Sequence, residues 1–304
     1  MKRLGFLTLA VMALVSASCK KESPVVQEEV VASFTVSMPE EIMTKGYSDG
    51  TKATELHYAV YLNGNHQSGT INPQTMVNGS ANVNISVVMG YTYQIVFWAQ
   101  APGQTYYTFD QPGKTITVNN YTTDANDDKR DAFYRVIDYT YTPGSQTVEL
   151  YRPFAQINFL ASDYTAVGRT VTSKIEVGNL PNVLNVLTGE ATGGIKADFK
   201  PTVVPSYLGE TLQGLNYNYV SMNYVLAPKE KDTIAGNVVG VFDYGVAPLT
   251  IPVPNVPYQR NYRTNIYVDG LFTGNASFNV VIDHKYGVND DQHYDHVPPY
   301  NPHI

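Results

Sequence analysis

Apolar and polar positions alternate with a period of two along most of the chain. Val30, Ala32, Phe34, Val36 and Met38 alternate with Val31, Ser33, Thr35 and Ser37, which sets an unbroken apolar row on one face of an extended strand. The strand ends at Pro39, and residues 40–54 read as a long loop carrying Lys45-Gly46, Ser48-Asp49-Gly50 and Lys52. A second strand is expected over 56–62, with Leu56, Tyr58, Val60 and Leu62 on one face and the turn pair Asn63-Gly64 at its end. Asn78-Gly79 precedes a strand at 83–89, and Gly90 alone separates it from the next at 91–100. Two strands joined so tightly are expected to pair as a hairpin. Shorter strands follow at 114–118, 131–141 and 146–150, the last two flanking Thr142-Pro143-Gly144.

At Tyr151-Arg152-Pro153 a proline that cannot donate to a ladder interrupts the alternation, which resumes as Ala155, Ile157 and Phe159. A domain boundary is placed here. Beyond it strands are expected at 173–177, 217–226, 238–244, 249–253, 262–268 and 276–282, with a loop-rich stretch over 178–214. Residues 180–187, broken by Pro181, have room for a helical turn or two at most, and nowhere does a 3.6-residue period persist. Short strands without helices predict an all-β chain of antiparallel sandwiches, one over 30–150 and one over 151–285, with a flexible proline-rich tail at 286–304.

The first residues have another character. Lys2 and Arg3 precede an apolar run from Leu4 to Val15, then come Ser16, Ala17 and Ser18, and then Cys19. The run is too short for a lasting membrane span, and the order is that of a secretory signal. Cys19 is the only cysteine among 304 residues. Its position directly after the small residues resembles a bacterial lipoprotein signal, with 1–18 removed and Cys19 lipidated; the alternative is an ordinary signal with a chance cysteine. Residues 19–29 are polar and read as a tether. A lipidated Cys19 leaves no thiol for a disulfide, so burial and hydrogen bonding must supply the stability.

Composition agrees with an exported all-β chain: 24 Tyr against 11 Phe, 23 Gly, 18 Pro, and 15% charged residues. The net charge is −7, and −9 once Lys2 and Arg3 are gone, so a nucleic-acid partner, which needs a basic face, is disfavoured and not expected. No nucleophile elbow, zinc-protease helix or phosphate-binding glycine loop occurs, and neither an enzyme nor a cofactor is expected. Asp124, Asn126 and Asp128 alternate as in a calcium loop, but Lys129 stands where glycine is required and Arg135 where the bidentate Glu belongs, which favours a solvated acidic turn. Asp290, Asp291, His293, Asp295 and His296 form a chelating set only on paper, because a proline-rich tail supplies no packed second shell. No metal site is therefore assigned. Trp98 and the tyrosines offer ring faces for sugars, although alternating tyrosines are equally amphipathic side chains at the surface or core edge of a sandwich.

Four stretches carry a family resemblance: Ser48-Asp49-Gly50-Thr51-Lys52-Ala53; Arg130-Asp131-Ala132-Phe133-Tyr134; Arg152-Pro153-Phe154-Ala155-Gln156-Ile157-Asn158-Phe159; and Asn255-Val256-Pro257-Tyr258-Gln259-Arg260-Asn261-Tyr262-Arg263-Thr264-Asn265-Ile266. Together they resemble the fimbrillin-like lipoproteins of Bacteroides and relatives, over about residues 30–283. The resemblance implies two transthyretin-like antiparallel β-sandwich domains in tandem, a lipid anchor at the outer membrane, exposure at the cell surface or in a fimbrium, and other pilus subunits as partners. In pilus-building members the first strand is cut away after a basic residue and a neighbour's strand fills the groove. By position that role passes to Lys45, with Lys52 as the alternative, and Val30, Ala32, Phe34, Val36 and Met38 become the removable strand. An ordinary permanent strand is the competing reading. Pro298, Pro299 and Pro302 deprive the tail of backbone donors, so it is not expected to serve as a donor strand. The second functional reading is a surface lipoprotein that binds glycan or host ligands.

Overall fold

The computed structural model describes residues 28–39, 49–204, 209–274, 276–285 and 297–300. The first half contributes β1 (Glu29–Ser37), β2 (Glu55–Leu62), β3 (Asn65–Gly69), β4 (Gln74–Thr75), β5 (Ser80–Val88), β6 (Thr92–Gln100), β7 (Tyr107–Asp110), β8 (Thr115–Val118), β9 (Phe133–Thr140) and β10 (Ser145–Glu149). The second contributes β11 (Phe154–Ala161), β12 (Thr172–Leu180), β13 (Val183–Asn185), β14 (Ala191–Thr192), β15 (Ile195–Asp198), β16 (Thr202–Val203), β17 (Gly209–Leu212), β18 (Leu215–Leu226), β19 (Asp232–Thr233), β20 (Asn237–Asp243), β21 (Leu249–Pro254), β22 (Pro257–Tyr258), β23 (Tyr262–Asp269), β24 (Ser277–Lys285) and β25 (Val297–Tyr300). Helix is confined, among the described residues, to single 3-10 turns at Asp128–Arg130 and Tyr164–Ala166. Where 180–187 left room for a helical turn, Val183–Asn185 is a strand.

In the first sandwich a sheet of order β10-β1-β5 faces one of order β3-β2-β6-β9. Between them lie Phe34, Val36, Val83, Ile85, Ile95, Phe97 and Leu150, all buried. The tight β2–β3 connection holds Asn63 at φ 49 and Gly64 at φ 73, the left-handed pair that an Asn-Gly hairpin turn requires.

The hairpin expected across Gly90 does not form. β5 pairs with β1, whereas β6 pairs with β2 and β9, so the chain at Gly90 crosses from one sheet to the other. The physical reason is that both strands carry a full apolar face. Ala81, Val83, Ile85 and Val87 on β5 bury against the same core as Tyr93, Ile95, Phe97 and Ala99 on β6, and pairing in one sheet would not bring those faces together. The Tyr93 hydroxyl accepts from the Val88 amide at 3.0 Å and ties the crossing.

β6 is buried on both sides. Its alternate residues Val96 and Trp98, with Ala59, Tyr61 and Tyr134, belong to a second core that continues into the later half of the chain. This explains why its sequence reads as nearly continuous apolar residues rather than a clean alternation. That second core fills a sandwich made by a six-stranded sheet, β17-β18-β11-β23-β24-β25, and a sheet of order β15-β12-β20-β21. A smaller sheet, β14-β13-β8-β7, takes two strands from each half, because Thr115–Val118 pairs with Val183–Asn185. Tyr107, Ile116, Val118, Tyr121 and Ala125 accordingly pack into the second core although they precede Arg152.

The two sandwiches repeat one arrangement. The opening strand of each, β1 and β11, runs antiparallel to one neighbour (β5, β18) and parallel to the other (β10, β23). Among the described strands these are the parallel pairs, each needing the long crossover that separates its strands in sequence, and isolated parallel bridges at Tyr121↔Ala197 and Asp124↔Lys200 add to them. At the far edge, Val297–Tyr300 of the tail lies antiparallel to β24, with Phe278 opposite Tyr300 and Val280 opposite Val297. Pro298 and Pro299 sit where prolines are tolerated, on an outermost strand.

Candidate functional site

Val30, Ala32, Phe34, Val36 and Met38 form a single row on β1, buried from Ala32 onward. β1 is the middle of its three-stranded sheet, in register with β5 from Glu29↔Val88 to Ser37↔Ser80 and with β10 from Ser33↔Ser145 to Ser37↔Glu149. Ala32, Phe34, Val36 and Met38 are at most 4% exposed, and Val30 is half-buried at the open end. Phe34 is the centre of the contact, its ring 4.9 Å edge-on from Tyr139 and 5.6 Å from Phe97. The other face of β1 is polar and open: Ser33 donates to Asn84 Oδ1 at 2.9 Å and Thr35 to Asn82 Oδ1 at 3.1 Å. Met38 N still bonds Gly79 O at 2.8 Å, so the strand is zipped to its last residue before Pro39.

Of the processing candidates, Lys52 is exposed but held in a compact turn. Asp49 Oδ1 accepts from the Thr51 amide at 2.9 Å, Gly50 O from Ala53 N at 3.1 Å, and Lys52 O from Thr54 N at 3.0 Å. A backbone bonded in this way, beside the buried Ala53, is a poor protease substrate without local unfolding. Lys45 lies outside the described residues, as do Cys19 and the tail residues Asp290, Asp291, His293, Asp295 and His296.

The remaining candidates are absorbed by the fold. Asn126 Oδ1 accepts from Met222 N at 2.8 Å while its amide donates to Ser173 Oγ at 3.1 Å, Asp128 Oδ1 accepts from the Tyr224 hydroxyl at 3.1 Å, and Asp127 caps the short turn through Lys129 N at 3.0 Å. The acidic turn therefore stitches the first half to β12 and β18. Among the described residues no group of three or more acidic, histidine or cysteine side chains is placed to hold a metal. Trp98 is fully buried, with Nε1 donating to Gln100 Oε1 at 2.8 Å and its ring 5.3 Å from Tyr107. It is a core residue, neither a sugar platform nor a residue of the surface or core edge, because β6 is covered on both faces.

Three of the four recognition stretches converge at the junction of the halves. Arg152 Nε and Nη2 grip Asp131 Oδ1 and Oδ2 at 2.7 and 2.6 Å, both residues are buried, and the guanidinium lies 4.8 Å from the Phe133 ring centre. Burial pushes the Asp131 carboxyl up to about 6 against the pull of Arg152. From the fourth stretch, Asn261 Oδ1 accepts from the Arg152 amide at 3.4 Å, Thr264 donates to Pro257 O at 2.7 Å, and Arg260 reaches Gly189 O and Ala227 O. Sequence pattern alone did not single out Arg260 or Asp131, since their partners lie 33 to 71 and 21 residues away; the clue available was a charged residue inside an otherwise apolar or turn-forming run.

Fold and site together define a two-sandwich all-β protein whose opening strand is seated in the middle of a sheet at the described chain's N-terminal end. By sequence, residues 23–298 match the family of unknown function DUF6562, and the chain belongs to that family. No curated protein matches the sequence significantly. Among solved structures, a fimbrial assembly protein from Parabacteroides distasonis is similar over 89% of this chain and all of its own, at 13% identity and TM-score 0.49. The tip fimbrial protein Mfa3 from Porphyromonas gingivalis, in a C-terminally truncated form, is similar over 84% of this chain and 98% of its own, at 10% identity and TM-score 0.46.

Proposed function

We propose that this protein is a cell-surface subunit of the fimbrillin type, without chemistry of its own, that joins other subunits by β-strand exchange once β1 has been released. The observation that carries this reading is the seat of β1: a strand at the N-terminal end of the described chain occupies the centre of a sheet instead of an edge. Burying Phe34, Val36 and Met38 contributes roughly 1.5 to 3 kcal/mol each as an upper bound, together comparable with the net stability of a domain. Removal would leave β5 and β10 with unpaired edges on either side of an apolar trough, a surface that an incoming strand with alternating apolar side chains satisfies.

Limited trypsin digestion of the purified chain tests the proposal. Cleavage at Lys45, followed by loss of the first strand and an SDS-resistant ladder, is the expected result; Lys52 should be cut more slowly because of its turn. A nicked chain that stays monomeric with β1 bound would overturn the exchange mechanism.

The subunit reaches the surface, on this reading, as an outer-membrane lipoprotein anchored through Cys19. Metabolic labelling should place fatty acid on the native chain and not on Cys19→Ala, which should leave the membrane fraction; equal labelling of both would refute the anchor.

A further inference from the structure

A cavity of about 1220 Å³ opens between the halves where β1 ends. Small-molecule pockets typically span roughly 300 to 1,000 Å³, so it has room for a ligand of several rings. Arg135, Lys229 and Arg260 line it against one acid, Glu149, on a chain whose net charge is −7. Arg135 and Lys229 are exposed, whereas Arg260 is only 6% exposed.

Arg260 is an unusual buried cation. Among the described residues no carboxylate pairs with it; Nη2 donates to the carbonyls of Gly189 and Ala227, and Nε is buried without a partner. Burial presses its pKa downward, the cost of a charge taken out of water without a counter-ion. Space for the group is kept by Gly189, at φ +74, where a Cβ would lie 3.0 Å from Nη1. The cavity wall also carries the neutral polar side chains of Asn78, Thr188, Gln259 and Asn261, whose donors and acceptors suit hydroxyl groups.

We propose that this cleft binds a small hydroxylated carboxylate, its acid group paired with Arg260 and screened at the rim by Arg135 and Lys229. With Nη2 committed to the Gly189 and Ala227 carbonyls, the acid group is held by the guanidinium's charge and one of its remaining N–H donors rather than by a bidentate fork, and the amides and the threonine hydroxyl match the hydroxyls beside it. The acid group can come from a uronic-acid oligosaccharide or from a free hydroxy acid. Ser37 and Met38 at the end of β1 form part of its wall, so the site belongs to the chain with β1 in place and is tested on the intact protein.

Calorimetric titration with trigalacturonic acid, citrate and the neutral trisaccharide maltotriose is the test. Saturable binding of trigalacturonic acid, about tenfold weaker in Arg135→Gln/Lys229→Gln and weaker again in 0.5 M salt, establishes the site with an oligosaccharide source; binding of citrate alone, with the same losses, establishes it with a free acid. The rim variants change exposed side chains and leave the fold intact, and Arg260→Lys, which keeps the charge and loses the guanidinium's spread of N–H donors, should weaken the favoured ligand further. No binding of either acid, or equal binding of maltotriose, overturns the proposal. So does binding that emerges only in Glu40→Gln/Glu41→Gln, since the acids following Pro39 in sequence would then be the occupant.

Discussion

Phe34→Ala tests the energetic basis of a releasable first strand. The ring is 1% exposed and lies against Tyr139 and Phe97 across the sandwich, so truncation removes a large buried side chain and leaves a cavity that two facing sheets cannot easily close. Such substitutions cost about 3 to 5 kcal/mol, of which each lost aromatic pair accounts for roughly 0.5 to 1.5 kcal/mol. With about 2 to 4 °C per kcal/mol for a unit of this size, the melting temperature should fall by roughly 6 to 20 °C. Urea titration should show a lower midpoint at unchanged slope. Val31→Ala, on the open face of the same strand at 59% exposure, is the control and should change stability by less than about 0.5 kcal/mol. In trypsin-nicked protein the same loss, if felt in the release step, speeds strand dissociation by about two to four orders of magnitude. A Phe34→Ala chain that loses less than about 1 kcal/mol would show that β1 is weakly held, and the argument that an emptied groove demands a replacement strand would fall.

Arg152→Met should cost about 3 to 5 kcal/mol, because it strands the Asp131 carboxylate in the interior, while Asp131→Leu/Arg152→Met should recover most of that loss; urea midpoints of the three proteins decide it. His57, half-buried and 3.0 Å from Glu55, has its pKa lowered chiefly by desolvation, with Glu55 opposing. The unfolded chain therefore takes up a proton below about pH 6.5 that the folded chain resists, so stability is kept above that pH and lost as pH falls through it; comparing unfolding midpoints at pH 7.5 and 5.5, His57→Gln should lose less than the native chain. Deletion of residues 286–304 should remove the outermost pairing of the C-terminal sheet yet leave polymer formation intact, and loss of the SDS-resistant ladder would make the tail a donor after all.

The strands themselves were legible in the sequence because a period of two is a local property. Val30 to Met38 alternates without a break, and Asn63-Gly64 can hardly be anything but a tight turn, so β1 and the end of β2 follow from neighbours alone. The alternation breaks at Arg152-Pro153, and Pro153 immediately precedes β11, the opening strand of the second sandwich. Pairing was not legible, because an apolar face does not say whether its partner lies beside it or across from it. That is why 83–89 and 91–100 looked like a hairpin and are instead strands of opposing sheets. Trp98 looked like an available ring because it falls on the strand face opposite Tyr93, Ile95 and Phe97; only the second core on the far side of β6 makes it interior. Residues 107–125 precede the break yet pack into the second core, and Asp131 meets Arg152 across it, because tertiary contacts ignore sequence distance once loops are closed. Local alternation thus determined which residues are strands and which faces are apolar, while the choice of facing partner, fixed by how two twisted sheets bury those faces, decided that β1 sits mid-sheet and that Arg260 stands without a carboxylate partner at the wall of a cleft.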